Sequence, residues 1–475
     1  MSTPENNIYI LLLGASGSGK TSLINMLAQI MTYKSLDDAI DSKEPMIPVP
    51  NRRTEYYPDG TSEDILYRGF RGEDVANERF GNIGSSFTQS PRMYSFKNGN
   101  TIFNFIDMPG FGDTSWNSED EINKKKRYAF LETVPQIHAI VTVVKATENM
   151  LSQTFIGSLD DVLSMVPKSA AANLIFFATF SLGSSFQGNL IAPVLQRYLA
   201  DVNNKYKVQL SLKDNVFYID NFALLYLLSY TRSEKYRKFT DAKQRADADL
   251  CWQKTKEAIK AMARKVLTLP GIPAADIAAF NFARTLIDIV TENLIKFSDE
   301  ALKLSDPKFR AAQAQKMQAE NPTLTTKQID TMLTDGEKRF KQTLFSVYQK
   351  ASQELLKPAG FLKHHCVAPM SNGYRVRLQN KIIQLESDAD FDGAAEVQAE
   401  LDAKDKHNRC FELILNNATR ISTLEETCKA PEGLLKLQII GKDVKKAFEA
   451  YQKTVKFEFK DTVPFTATYP IQNDD

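Results

Sequence analysis

The segment Gly14-Ala15-Ser16-Gly17-Ser18-Gly19-Lys20-Thr21, directly behind the apolar run Ile8 to Leu13, constrains this chain more than any other feature. It fits G-x-x-x-x-G-K-[ST], a pattern that works only between a strand and a helix. Glycines let the backbone curl so that successive amides point at an anion. Lys20 adds a cation for β- and γ-phosphates, and the Thr21 hydroxyl suits Mg²⁺. The spacing predicts a helix over Thr21 to Met31, whose positive end faces the same anion. The phosphate contacts implied are Gly14, Ser16, Gly17, Ser18, Gly19, Lys20, Thr21 and Ser22.

A second motif, Asp107-Met108-Pro109-Gly110, closes the apolar run Thr101 to Ile106. There Asp107 would hold Mg²⁺ through its hydration shell, and the Gly110 amide would contact a γ-phosphate. Asp-x-x-Gly in place of an Asp-Glu pair favours GTPase chemistry over an ATPase with a general-base glutamate. Thr88 lies 19 residues before Asp107 and just ahead of a predicted strand. That position suits a ligand for Mg²⁺ and the γ-phosphate, which makes Lys20 and Thr88 the catalytic candidates and Thr21, Thr88 and Asp107 the metal set.

The rest of the chain is organised around this site. Of the 21 glycines, 14 precede residue 190, where short apolar runs alternate with helical periodicity. That predicts an α/β domain with a mainly parallel sheet over about residues 1–235. Its strands are expected at Ile8 to Leu13, Pro91 to Phe96, Thr101 to Ile106, Ile137 to Val144, Leu174 to Ala178 and Val216 to Ile219. From 236 to 475 the apolar residues step by three and four, as in Leu286, Ile289, Val290, Leu294 and Phe340, Leu344, Val347, Ala351, Leu355. The pattern predicts an α-helical C-terminal region, with loops at Pro270 to Pro273, Asp306 to Pro307, Asn321 to Pro322 and Lys357 to Gly360, and a sub-boundary near 357–373. The helical step at Cys410 continues through Ile414, Ala418, Ile421 and Leu424. Val455 to Phe459 alternates and reads as a strand or extended tail.

Lys plus Arg total 59 against 58 Asp plus Glu, so no net field draws the chain to nucleic acid. The longest apolar runs are too short for a transmembrane segment, and residues 1–7 lack a basic start, so no signal peptide is expected. Four irregularly spaced cysteines in 475 residues imply reduced thiols and a cytoplasmic location.

GAxGxGKTS followed by D-M-P-G-F-G-D-T, Asp107 to Thr114, resembles the septins and the immunity-associated (GIMAP) nucleotide-binding proteins of the translation-factor-related P-loop GTPases. The resemblance spans about residues 8–225. It implies a G domain that binds GTP or GDP with Mg²⁺ and associates as a homodimer or oligomer through that domain, with the nucleotide state controlling assembly. Protein partners are then expected on the helical region.

Two departures matter. The base-reading motif after the fifth strand is replaced by Thr179-Phe180-Ser181-Leu182-Gly183, which places no carboxylate for guanine. Thr179 remains as a nucleotide contact, and Asp220-Asn221 at the end of the next strand offers a polar contact to the base, with a helix N-cap as the alternative. Phe111 stands where a water-orienting glutamine would follow Gly110, so hydrolysis is expected to be slow, or completed by an arginine from a second protomer. Arg52, Arg53, Arg68, Arg71 and Arg79 are candidates for that finger, in a long first-switch segment, 32–90, expected to be a mobile lid or partner-binding insertion that orders when the γ-phosphate is bound. A P-loop ATPase or small-molecule kinase, or a nucleotide-binding scaffold without turnover, are the rival readings. His364-His365-Cys366 with His407 and Cys410 has zinc-type donors but no recognised spacing. His138 on a predicted strand reads as a satisfied core imidazole.

Overall fold

The computed structural model describes residues 5–67, 90–110, 129–454 and 465–466. A mainly parallel sheet forms where the sequence places its short apolar runs: β1 (Asn6–Leu13), β4 (Arg92–Asn98), β5 (Thr101–Asp107), β7 (Ala139–Lys145), β8 (Leu174–Thr179) and β9 (Val216–Tyr218), with a separate short hairpin, β2 (Asn51–Tyr56) and β3 (Ser62–Tyr67), between β1 and β4 in the chain. Strand order is β10-β4-β5-β1-β7-β8-β9, where β10 is Phe465–Thr466. Neighbours run parallel, except that β4 pairs antiparallel with β5. β1 sits between β5 and β7, so Ile10 faces Phe105 on one side and Ala139 on the other. Because β1, β5, β7, β8 and β9 point the same way, the loops that leave them gather at one edge.

The run expected as one strand from Ile137 is broken at His138, leaving β6 (Gln136–Ile137) before β7. His138 explains the break. Its Nδ1 accepts from the Tyr9 amide at 3.0 Å while its own amide donates to the Tyr9 carbonyl at 2.8 Å. Burial pushes its pKa down, in keeping with a neutral imidazole that accepts.

Helices cover the sheet: α1 (Lys20–Thr32), α2 (Leu36–Asp41), α3 (Gln153–Leu163), α4 (Ile191–Tyr206), α5 (Phe222–Arg232), α6 (Glu234–Phe239) and α7 (Ala242–Val266). Leu23, Leu27 and Ile30 of α1, Leu224 and Leu228 of α5, and Trp252, Ile259 and Met262 of α7 share one core with Ile10, Leu12, Phe103 and Phe105. All of them are buried.

The described part of the long segment after α1 is docked on the domain. Through Tyr67 it forms α2 and the β2–β3 hairpin, tied into the domain by polar groups of α1 and α5. Asn25 clamps the Val49 backbone through both its amide groups, and Gln29 donates to the Met46 carbonyl. Tyr67 meets the Ser229 hydroxyl at 2.7 Å, and Ser229 donates to Glu55 at 2.9 Å. The alternation that puts Ile65 and Tyr67 on one face supplies the apolar side of this dock. Arg52 pairs with Asp64 across the hairpin, and Arg53 pairs with Glu55. Residues 68–89, with Thr88, Arg68, Arg71 and Arg79, lie outside the described residues, as do 111–128 and the stretch Val455 to Phe459.

The chain divides into two compact units: one comprises Met1–Ala278, Met370–Arg377 and Phe457–Asp475, the other Ala279–Pro369 and Leu378–Lys456. The first thus runs beyond the compositional change near 235. The second is helical, built from α8 (Ala274–Leu304, from residue 279 onward), α9 (Pro307–Glu320), α10 (Thr326–His365), α11 (Gly373–Ser387, from 378), α12 (Phe391–Asn417), α13 (Leu424–Leu434) and α14 (Gly441–Thr454). Leu286, Ile287 and Val290 of α8 and Leu344, Val347, Ala351 and Leu355 of α10 are buried, as the periodicity implies.

Two expectations fail here. Lys357 to Gly360 is not a loop but part of α10. Pro358, Ala359 and Gly360 are buried, and a Cβ on Gly360 would stand 2.5 Å from the Arg420 carbonyl, so smallness serves close packing and not a turn. The helix at Cys410 stops at Asn417, because Thr423 opens α13 with a capping box to Glu426, leaving Ile421 exposed. Among the described residues no helix is long and apolar enough to cross a membrane.

Candidate functional site

The loop from Gly14 to Gly19 leaves β1 and enters α1 with its three glycines at positive φ: Gly14 at 147°, Gly17 at 71° and Gly19 at 98°. A side chain at Gly14 would also put a Cβ 2.4 Å from the Val143 carbonyl oxygen. The loop wraps the Lys20 side chain. Its ammonium donates to the carbonyls of Gly14 at 3.0 Å and Ala15 at 2.9 Å, and the residue is only 6% exposed. A buried cation facing carbonyl dipoles is strongly favoured by an anion, and the start of α1 points its amides at the same place.

Thr21 and Asp107, 86 residues apart in sequence, meet at 3.0 Å, the hydroxyl donating to Oδ2. Asp107 is 1% exposed. Parallel pairing of β1 with β5 brings them together, since Leu12 lies opposite Asp107. The Asp-x-x-Gly turn then lies against the glycine loop: a Cβ on Gly110 would fall 2.7 Å from Ser16 Cα and 2.8 Å from its nitrogen. Only glycine lets these two segments touch.

Thr179, expected as a nucleotide contact, braces the glycine loop. It ends β8 fully buried, and its hydroxyl lies 2.7 Å from the Ser18 carbonyl and 3.0 Å from that of Val144, tying the glycine loop to the sheet. Asp220 accepts from the amides of Leu182 and Phe222, both at 2.8 Å, which joins the loops after β8 and β9. Burial raises its pKa and those two amides draw it back. It thus holds the first amide of α5, while the N-cap residue itself, Asn221, makes no side-chain cap bond. Asn221 reaches toward the Gly19 carbonyl at 3.4 Å, and its Oδ1 has no hydrogen-bond partner among the described residues. The Ser18 hydroxyl, 2% exposed, has none either.

The motifs announced the glycine loop, Thr21 and Asp107. They did not announce Phe180, an exposed ring at φ 56° immediately after Thr179, with the Lys145 ammonium 5.9 Å from its centroid. The missing base motif was the one signal there. Among the zinc-type donors, Cys366 receives the Arg284 guanidinium at 3.0 Å and His407 lies 3.3 Å from Asp288; among the described residues no group of three or more His, Cys, Asp or Glu is placed to hold a metal. Cys251, Cys366, Cys410 and Cys428 are all free thiols.

Strand order, glycine loop and helix together define the fold class: an α/β P-loop nucleoside-triphosphatase domain of the G-domain type, followed by a helical region. No protein-family model matches the sequence, and no curated protein matches it. Among solved structures the chain is similar to Toc33 from Arabidopsis thaliana in complex with GDP and Mg²⁺, at 16% identity over 46% of this chain and 71% of that one, with a TM-score of 0.28. It is also similar to the cytosolic domain of the T. maritima FeoB iron transporter in its GMPPNP form, at 11% identity over 72% of this chain and 98% of that one, with a TM-score of 0.23. Era in complex with MgGDPNP and a segment of 16S ribosomal RNA gives 12% identity over 46% of this chain and 52% of that one, with a TM-score of 0.25. Identities and scores this low leave function to the site's own geometry.

Proposed function

We propose that the chain is a Mg²⁺-dependent guanine-nucleotide-binding protein of the cytoplasm, a slow GTPase acting as a nucleotide-controlled switch or assembly protein. The observation that carries this is the buried Lys20 ammonium at the mouth of a loop with three positive-φ glycines, its partners being the carbonyls of Gly14 and Ala15. That is a cradle for a polyphosphate, in which Lys20 turns from backbone carbonyls to the β- and γ-oxygens and Ser16, Ser18 and Ser22 line the same loop. Thr21 and Asp107, already adjacent, fit the hydroxyl and outer carboxylate of a Mg²⁺ site, with Thr88 as the third member. Bound there, Mg²⁺ would neutralise charge on the β- and γ-phosphates.

GTP is preferred over ATP on the strength of the resemblance of Asp107-Met108-Pro109-Gly110 to a GTPase motif; Gly110 sits against the glycine loop, where a γ-phosphate of either nucleotide would be sensed. Phe111 cannot orient water, so the chain's own residues leave hydrolysis slow and open to completion by a second protomer. A homodimer formed through residues 1–235, with protein partners on the helices of 236–475, completes the reading. The rival is a scaffold that binds nucleotide without turnover, which Phe111 also favours.

Calorimetry with GTP, GDP and ATP, with and without Mg²⁺, tests the assignment. Binding of GTP that needs Mg²⁺ and disappears in Lys20→Ala is expected; an unaltered Lys20→Ala affinity removes the site. Single-turnover hydrolysis at rising protein concentration separates the two readings: a rate that climbs supports protomer-assisted turnover, and no turnover at any concentration supports the scaffold.

A further inference from the structure

We propose that Phe180 is the platform on which the purine of the bound nucleotide stacks, and that purine identity is read only weakly there. The inference rests on the nucleotide reading of the glycine loop and adds how the base is held. Phe180 follows a residue whose hydroxyl is 2.7 Å from the Ser18 carbonyl, so its backbone is one residue along the chain from a contact with the glycine loop, at the strand-end edge where ligands of open α/β sheets bind. Its ring is 46% exposed, although it closes a strand that is buried throughout. Its backbone is left-handed at φ 56°, a conformation a phenylalanine adopts only when its surroundings impose it.

The surroundings do so on both sides. Ala178 accepts from the Ser181 hydroxyl at 2.7 Å, and the Ser181 amide donates to the Ile219 carbonyl at 3.3 Å. Ser185 and Phe186, at φ 53° and 56°, hold the same loop in further left-handed turns. Strain of this kind, concentrated in one loop and aiming an aromatic ring at solvent, marks a ring that is meant to be covered. The Lys145 ammonium, over the ring at 5.9 Å from its centroid, puts a cation beside it that an anionic ligand would meet.

Weak reading follows from what surrounds the ring. The carboxylate at the end of β9, Asp220, has both oxygens engaged by the Leu182 and Phe222 amides. Asn221 supplies an amide oxygen without a hydrogen-bond partner among the described residues, an acceptor that N–H groups of either purine can meet. A stacking face does not distinguish guanine from adenine, because every base has one. Sites that read a base through dedicated buried hydrogen bonds reject the wrong one by ten-thousandfold or more. Without such bonds, preference for GTP over ATP is expected to stay under about a hundredfold.

Two variants of the full chain test this. Phe180→Gly relieves the left-handed strain, so its thermal midpoint is expected to equal or exceed that of the natural chain. Its affinity for GTP and for ATP is expected to fall together by about 5- to 150-fold, while inorganic tripolyphosphate binds as before. Phe180→Trp is expected to show tryptophan quenching by Mg²⁺ complexes of GTP and ATP and none by tripolyphosphate. If Phe180→Gly binds both nucleotides like the natural chain while Lys20→Ala binds neither, the platform is overturned and the nucleotide site stands. A GTP preference above a hundredfold overturns the weak reading. A natural chain that binds no nucleotide removes the nucleotide assignment itself, and the platform with it.

Discussion

Thr179→Val isolates the brace between the sheet and the glycine loop. Valine matches threonine in shape and in strand preference, so the change opens no cavity; it removes one hydroxyl from a fully buried position, leaving the Ser18 carbonyl without that donor. The lost hydrogen bond contributes about 0.5–1.5 kcal/mol net, and an unsatisfied buried carbonyl costs about 1–3 kcal/mol. A destabilisation of about 2 kcal/mol is expected, which for a unit of this size lowers the thermal midpoint by about 3 °C. Scanning calorimetry of the natural chain and the variant measures it. Because the Ser18 carbonyl belongs to the loop that would wrap the phosphates, GTP and GDP affinities are expected to fall by the same factor. A variant with the natural midpoint but weaker nucleotide binding would make Thr179 a direct ligand and refute the brace. A variant unchanged in both would show that the hydroxyl does nothing.

Gly110→Ala places a methyl 2.7 Å from Ser16 Cα, a clash with backbone that only separation of the two motifs relieves; nucleotide affinity measured by calorimetry is expected to drop at least about tenfold while the circular dichroism spectrum stays natural. His138 must be unprotonated to accept from Tyr9, and burial holds its pKa below the ordinary 6.5. The unfolded chain therefore binds more protons just below pH 6.5, so stability is full above that pH and declines as the pH falls toward the folded value. Thermal midpoints at pH 7.5 and 5.5 are expected to show the decline, with a shallower one in His138→Asn, which keeps an acceptor but does not titrate. His407, also lowered chiefly by burial, adds a decline of the same sign in the helical unit. Tyr67→Phe removes a hydroxyl that meets Ser229 at 2.7 Å and leaves Ser229 its bond to Glu55, so a loss of about 1 kcal/mol in denaturant unfolding is expected; no loss would mean the hairpin is not held there.

Much of the fold was legible because its signals are local. Apolar runs at β1, β5, β7 and β8 and three-four spacing in α8 and α10 act through neighbours a few residues away. The misread stretches carried signals that serve two purposes. Proline and glycine at 357–360 read as a turn, yet the chain needed small residues where the Arg420 carbonyl approaches. The segment after α1, rich in proline and long, read as a lid or a partner-binding insertion, and the partners of its polar side chains on α1 and α5 are ones that no spacing reveals.

By itself the sequence determined a glycine loop between strand and helix, a carboxylate at the end of a second strand, and the absence of a carboxylate for the base. Backbone curvature and charge at such motifs are written in a few consecutive residues. Only the tertiary structure decided that Thr179 braces the loop from 161 residues away, that Gly110 touches Ser16, and that Phe180 stands exposed in a strained turn. Those roles depend on strand order and register, and the pairing of β1 with β5 and of β7 with β8 is fixed by burial of the whole sheet, not by any short stretch of chain.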